Sequence, residues 1–86
     1  MISKSLTMRV RTLFFGATAD EVGKRELELC LDESTTASQA LSKIVEQFPR
    51  LSTHKLRISI NLSYALGEEV LRDGDELAIF TAVSGG

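Results

Sequence analysis

From Met8 the chain alternates, with Met8, Val10, Thr12 and Phe14 on one side and Arg9, Arg11, Leu13 and Phe15 on the other. A period of two, rich in β-branched and aromatic residues, predicts a half-buried strand, and Gly16 ends it. Ala17 to Val22 has room for one or two helical turns, with Gly23 placed to stop them. Leu27, Leu29 and Leu31 then alternate with Glu26, Glu28 and Cys30, the cleanest strand pattern in the sequence. Thr36 followed by Gln39 matches a capping box. Leu41, Ile44, Val45 and Phe48 recur at helical spacing until Pro49 closes the run, which predicts a helix over 37–48. After a polar loop (Arg50 to Lys55), Leu56, Ile58, Ile60 and Leu62 alternate with Arg57, Ser59 and Asn61 as a third strand. Gly67 marks a turn, Glu69 to Leu71 reads as a short edge strand, and Asp73-Gly74-Asp75 is a strong turn signal. A last strand is expected from Glu76 to about Phe80.

The order is strand, strand, helix, strand, short strand, strand. Strands one to three each carry one apolar face, and a single helix must cover them. The expected fold is therefore α+β: a mixed sheet of four to five strands with one main helix across one face. The ubiquitin-like β-grasp roll is the simplest arrangement that satisfies this order. Residues 1–7 are expected to be a flexible extension, 8–80 the domain and 81–86 a flexible tail. Leu27, Leu29, Leu31, Leu41, Ile44 and Ile58 are core candidates. Alternation cannot bury both Phe14 and Phe15, so one of them faces out and is a candidate for an interface patch.

Composition narrows the functional classes. A chain of 86 residues supports one core and leaves little room for a deep pocket within its own walls. A formal charge of −2, with ten Lys and Arg scattered among twelve Asp and Glu, argues against nucleic acid as a partner. No segment has transmembrane length, and Met1 to Thr7 lacks the apolar run of a signal peptide. With one cysteine there is no internal disulfide, and the cytoplasm is the expected location.

Candidate chemistry is thin within the domain. His54, the single histidine, sits between Thr53 and Lys55 and reads as solvated surface rather than a general base. Cys30 lies on the polar side of its strand, and its acidic neighbours Glu28 and Asp32 are the opposite of what a reactive thiolate needs. One His and one Cys make no zinc set. Glu68, Glu69, Asp73 and Asp75 lack the spacing of a calcium loop and read as solvated acids. Gly16 and Gly23 match no phosphate-binding fingerprint. The ending Thr81-Ala82-Val83-Ser84-Gly85-Gly86 is different. Two terminal glycines arise by chance about once in 200 sequences. Six extended residues reach about 20 Å, and side chains dwindling to none suit a narrow channel on another protein. The free carboxylate of Gly86 is inert, so such a tail implies activation from outside. An acyl-adenylate made with ATP would render it electrophilic, and a sulfur donor would convert it to a thiocarboxylate.

The run Val10-Arg11-Thr12-Leu13-Phe14-Phe15-Gly16, the Glu21-Val22-Gly23 ending, the stretch Leu71 to Phe80 and the closing Val83-Ser84-Gly85-Gly86 resemble the sulfur-carrying small subunits of molybdopterin synthase. The resemblance implies a thiocarboxylate at Gly86, formed by a ubiquitin-activating-type adenylyltransferase and a sulfur donor protein. It also implies a heterotetramer with the large subunit, where the sulfur passes to cyclic pyranopterin monophosphate. No cofactor would be bound permanently, ATP being used by the activating enzyme. Val83, Ser84 and Gly85 would thread into the partner, and Phe80 would contact both partners in turn. The family commonly has two prolines where this chain has Thr81 and Ala82, which predicts a looser tail here. Two other readings stay open. The carrier could serve thiamine synthesis or tRNA thiolation, or the domain could be a ubiquitin-like modifier or a plain binding module.

Overall fold

The computed structural model describes residues 7–82. Its elements are β1 (Thr7–Phe14), α1 (Ala17–Val22), β2 (Glu26–Asp32), α2 (Ala37–Gln47), a 3-10 helix (Pro49–Thr53), β3 (Leu56–Ile60), β4 (Ser63–Ala65) and β5 (Glu76–Thr81). The five strands form one mixed sheet in the order β2-β1-β5-β3-β4. β1 and β5 are parallel, and every other pair is antiparallel. This is the expected β-grasp roll.

The alternation of β1 sorts as expected: Met8, Val10, Thr12 and Phe14 are buried. Phe15 is the outward aromatic, half exposed. Leu27, Leu29 and Leu31 pair with Thr12, Val10 and Met8 on the same face, with Leu31 fully inside and the other two at the rim of the core. α2 crosses this face. Its capping box is formed: Gln39 N–H donates to Thr36 Oγ1 at 3.2 Å, and Thr36 N–H donates to Gln39 Oε1 at 2.9 Å. Ala37, Ala40 and Ile44 are fully buried at i, i+3, i+7 spacing, the small alanines letting the helix sit close to the sheet. Leu41, Val45 and Phe48 flank them, and Phe48 meets Phe14 edge-to-face with ring centroids 6.5 Å apart. Gly23 ends α1 in the left-handed conformation (φ 81°), donating its N–H to Ala19 O.

The helix runs as expected to Gln47, with Phe48 as its cap. Three expectations need correction. Pro49 does not simply end it but opens the 3-10 helix, whose Leu51 is fully buried, so the segment is not a polar loop. β3 ends at Ile60, because Asn61 and Leu62 form the two-residue turn into β4. The edge strand is Ser63–Ala65 rather than Glu69–Leu71. That later segment pairs with the start of α2, Ala37 N–H donating to Glu69 O and Leu71 N–H to Thr35 O, both at 2.9 Å. Burying Leu71 beneath the helix start requires that position.

Two buried threonines behave oppositely. Thr18 Oγ1 lies 2.7 Å from Phe15 O and 2.9 Å from Ile79 O, between which its one proton is shared, and it accepts from Phe15 N–H at 3.0 Å, tying α1 to β1 and β5. Thr12 Oγ1 is buried with no partner among the described residues. An unsatisfied buried hydroxyl costs about 1–3 kcal/mol, whereas a satisfied one contributes about 1. Thr12→Val is therefore expected to stabilise the fold by about 1–2 kcal/mol in urea unfolding, and Thr18→Val to destabilise it by about the same amount. A destabilised Thr12→Val protein would show that the hydroxyl is satisfied after all.

Candidate functional site

Four of the five tail residues singled out in the sequence, Val83, Ser84, Gly85 and Gly86, lie outside the described residues; Phe80 lies within them. The described chain shows the root from which they leave. β5 sits between β1 and β3, so both its edges are hydrogen-bonded. Thr81 pairs with Leu56, and Ala82 N–H donates to Lys55 O at 2.9 Å. The backbone is thus held by β3 as far as Ala82. A proline at that position could not make this bond, so the exchange of the family's prolines does not by itself loosen positions 81 and 82.

Phe80 points to the face of the sheet that α2 leaves uncovered. Its ring lies 5.9 Å from that of Tyr64, tilted by 53°. Tyr64 is 80% exposed, and Leu62 and Leu66 on either side of it are each 91% exposed. Register carries this surface across the sheet: Tyr64 pairs with Ser59, Ser59 with Ala78, and Ala78 with Leu13. Phe15, one step beyond the Phe14–Ile79 pair, lies level with Phe80. Arg57, paired with Phe80, borders a shallow hollow that Tyr64, Leu66, Thr81 and Ala82 also line. The other end of the face is charged. There Arg11 forms a two-pronged pair with Glu26, with N–O distances of 3.0 Å, and reaches Glu76 at 3.6 Å. Apolar side chains concentrated where the tail departs form an exposed patch, the kind of surface on which proteins dock.

Other sequence candidates lie elsewhere or serve the fold. Cys30 is exposed on edge strand β2, paired with Arg9 at the far end of the sheet from Phe80. His54 is not plain solvated surface. Its Nε2 lies 3.3 Å from Glu21 Oε2, joining the end of the 3-10 helix to α1. Asp73 and Asp75 are structural acceptors rather than solvated acids. Asp73 Oδ1 takes Arg9 N–H, while Asp75 takes Arg72 N–H and the Asn61 amide. Glu69 likewise accepts the N–H groups of Leu66 and Gly67, both at 2.8 Å, fixing the loop that presents Leu66. Sequence reasoning missed Tyr64, Leu62 and Leu66 as surface residues. Their signal was a second period-two run, Leu62-Tyr64-Leu66, whose first member was read as the end of the third strand.

Comparison with known proteins places this geometry. The ThiS family matches residues 12–86. The chain belongs to the ThiS family. It is 31% identical over 84 residues to a Mycobacterium tuberculosis protein named molybdopterin synthase sulfur carrier subunit, covering 92% of this chain and 99% of that one. An Arabidopsis thaliana protein of the same name is 26% identical over 82 residues, covering 93% and 85%. Among solved structures, small archaeal modifier protein 1 of H. volcanii superposes with a TM-score of 0.80 at 26% identity, covering 88% of this chain and 99% of that one. The family resemblance read from the opening strand and the closing run is thereby established. Among the described residues, no helix is long and apolar enough to cross a membrane.

The Glu69 carboxyl is held below its ordinary value of 4.5, chiefly by the hydrogen bond from Leu66 N–H. A lowered value in the folded state stabilises the protein above the unfolded value, and that stability is lost as the pH falls through the folded one. Glu69→Gln should therefore lower the urea midpoint at pH 7. The gap between variant and parent should close as the pH drops below 4.5. A gap independent of pH across that window would count against the charged cap.

Proposed function

We propose that this chain is the sulfur carrier of a molybdopterin synthase and that the carboxyl group of Gly86 is its working group. The observation that carries the reading is the root of the tail. The backbone is fixed through Ala82, an exposed apolar patch lies beside it, and four residues ending in Gly-Gly follow. The names of the relatives and a family match running through residue 86 support it.

Chemically, the carboxylate attacks the α-phosphorus of ATP on an adenylyltransferase, and pyrophosphate leaves. Hydrosulfide released by a donor protein then attacks the unhindered glycyl carbonyl and expels AMP, and loss of its proton leaves a thiocarboxylate. The large synthase subunit receives the tail and passes the sulfur to cyclic pyranopterin monophosphate, within a heterotetramer in the cytoplasm. Phe80, Tyr64 and Phe15 form the face on which each partner docks in turn, while Val83, Ser84 and Gly85 line its channel. The domain supplies presentation, and the partners supply the acid–base groups.

The small archaeal modifier neighbour favours a second reading, in which a lysine amine rather than sulfur attacks the activated Gly86 and an isopeptide forms.

The deciding experiment uses the protein with its native terminus, incubated with ATP, the activating enzyme and a sulfur donor. Intact mass is expected to shift by one oxygen-to-sulfur exchange at Gly86. Deleting Gly86 withdraws the carboxyl by about 3.5 Å. Misplacement on that scale should cut sulfur transfer more than about a hundredfold, with the fold unchanged. No exchange under an active charging system would sink the proposal, and higher-mass conjugates dependent on Gly86 would favour the modifier instead.

A further inference from the structure

We infer that Leu62, at the tip of the β3–β4 turn, is a specificity-determining anchor for the protein that receives the tail; this rests on the carrier reading above. Ile60 pairs with Ser63, so Asn61 and Leu62 form a two-residue hairpin loop, and both have positive φ, 49° and 74°. A turn of this kind favours Asn followed by Gly. Asn61 is accounted for by the fold. Its side chain donates to Asp75 Oδ1 and accepts from Glu76 N–H, both at 2.9 Å. Leu62 is not. Its Cβ occupies a conformation that disfavours side chains, and with 91% exposure it returns no burial to the core. On grounds of folding alone, leucine is the wrong residue here twice over. Residues that break a local rule without helping the fold point to a use outside it.

That use has a location. Leu62 lines one hollow with Ser59, Tyr64 and Phe80, so exposed apolar surface runs from the root of the tail to the turn tip. The occupant follows from the carrier reading, in which Gly86 is the working group. Four residues lie beyond Ala82, a reach of about 14 Å, so a protein holding Gly86 in its active site must close over Phe80. The turn tip is tied to the start of β5 by Asn61 N–H donating to Glu76 O at 2.8 Å. Five residue steps from Glu76 to Thr81 span about 17 Å. A standard interface of about 800 Å² per partner is about 28 Å across and covers both ends. Two terminal residues without side chains cannot distinguish one acceptor from another, so discrimination has to come from the folded face. Leu62 therefore packs against an apolar face of the tail-receiving subunit.

The test compares Leu62→Gly and Leu62→Asn, both compatible with positive φ, with Ser34→Gly as control. Ser34 also has a positive φ (76°), but it follows β2 at the opposite edge of the sheet from β4. Thermal midpoints and calorimetric Kd values are measured against the molybdopterin synthase large subunit of the same source. Both Leu62 variants should melt at or above the parent temperature, yet bind about tenfold more weakly. Ser34→Gly should melt higher and bind unchanged. Leu62 variants binding within twofold of the parent would overturn the anchor, as would a fall in the melting temperature of both. A folded parent that does not bind the large subunit at all would overturn the carrier reading, and the anchor with it. Binding by the parent separates the two failures.

Discussion

The parallel pairing of β1 with β5 is the interaction on which the rest of the molecule depends. It joins Thr12 to Leu77 and Phe14 to Ile79, bringing the first and last strands together at the centre of the sheet. Both ends of the pair are locked. At one, the Asp73-Gly74-Asp75 turn grips β1 through Asp73 on Arg9 N–H, Gly74 N–H on Arg9 O and Asp75 O under Arg11 N–H. At the other, Phe15 N–H and the Thr18 hydroxyl converge on Ile79 O. Because these partners are about 65 residues apart, the sheet cannot close until nearly the whole chain is in place, a non-local topology that slows folding. The same closure fixes where the chain end emerges. It leaves from an interior strand with both neighbours bonded, so its root is as well defined as the core.

From this constraint the two faces of the sheet acquire different tasks. α2 with its buried alanines, the 3-10 helix and Leu71 fill one side and account for the hydrophobic core. Among the described residues the other side carries no helix, and a domain of this size has little chain to spend on a second layer. Its charged end, built on Arg11 with Glu26 and Glu76, stays compatible with water. Its apolar end gathers Phe80, Tyr64 and Leu66 where the tail departs, and Leu62 continues that surface to the β3–β4 turn. A small domain that cannot enclose a reaction can still direct one by presenting a reactive terminus beside a surface that selects who approaches it.

Much of the fold was legible because its signals were local. The alternation of Met8 to Phe14 and of Glu26 to Leu31, the Thr36–Gln39 box and the Gly23 stop each state a geometry that the structure adopts. Signals that depend on tertiary pairing were not legible. Leu51 is a lone apolar residue between Arg50 and Ser52, and only the arrival of α1 and α2 around the 3-10 helix gives it a core to enter. Glu69 to Leu71 has strand-like composition but bonds to Thr35 and Ala37 rather than to the sheet. Leu62 continued the alternation of β3, and its leucine hid a turn that glycine would have announced. The choice between Phe14 and Phe15 required the register with β5. For the site, Phe80 and the terminal glycines were visible as a motif. The apolar neighbours that give the motif a surface are scattered over β1, β4 and the adjoining loops.

The root of the tail shows how one requirement can be met by different chemistry. Prolines at an exit fix φ and lower the entropy lost when the segment is ordered by a partner. Thr81 and Ala82 cannot do so covalently. Instead Thr81 completes β5 against Leu56, and the Ala82 N–H, a donor that proline lacks, reaches Lys55 O. The ordering cost is thereby met within the folded domain before any partner arrives, and the direction of departure is set by β3 rather than by a ring. A hydrogen bond at the margin of a sheet is reversible where a proline is not, so the bond from Ala82 N–H to Lys55 O holds the exit without locking it. On the carrier reading proposed above, two partners take the same terminus in turn, one to activate it and one to use it, and a root fixed at Thr81 and adjustable one residue later serves both.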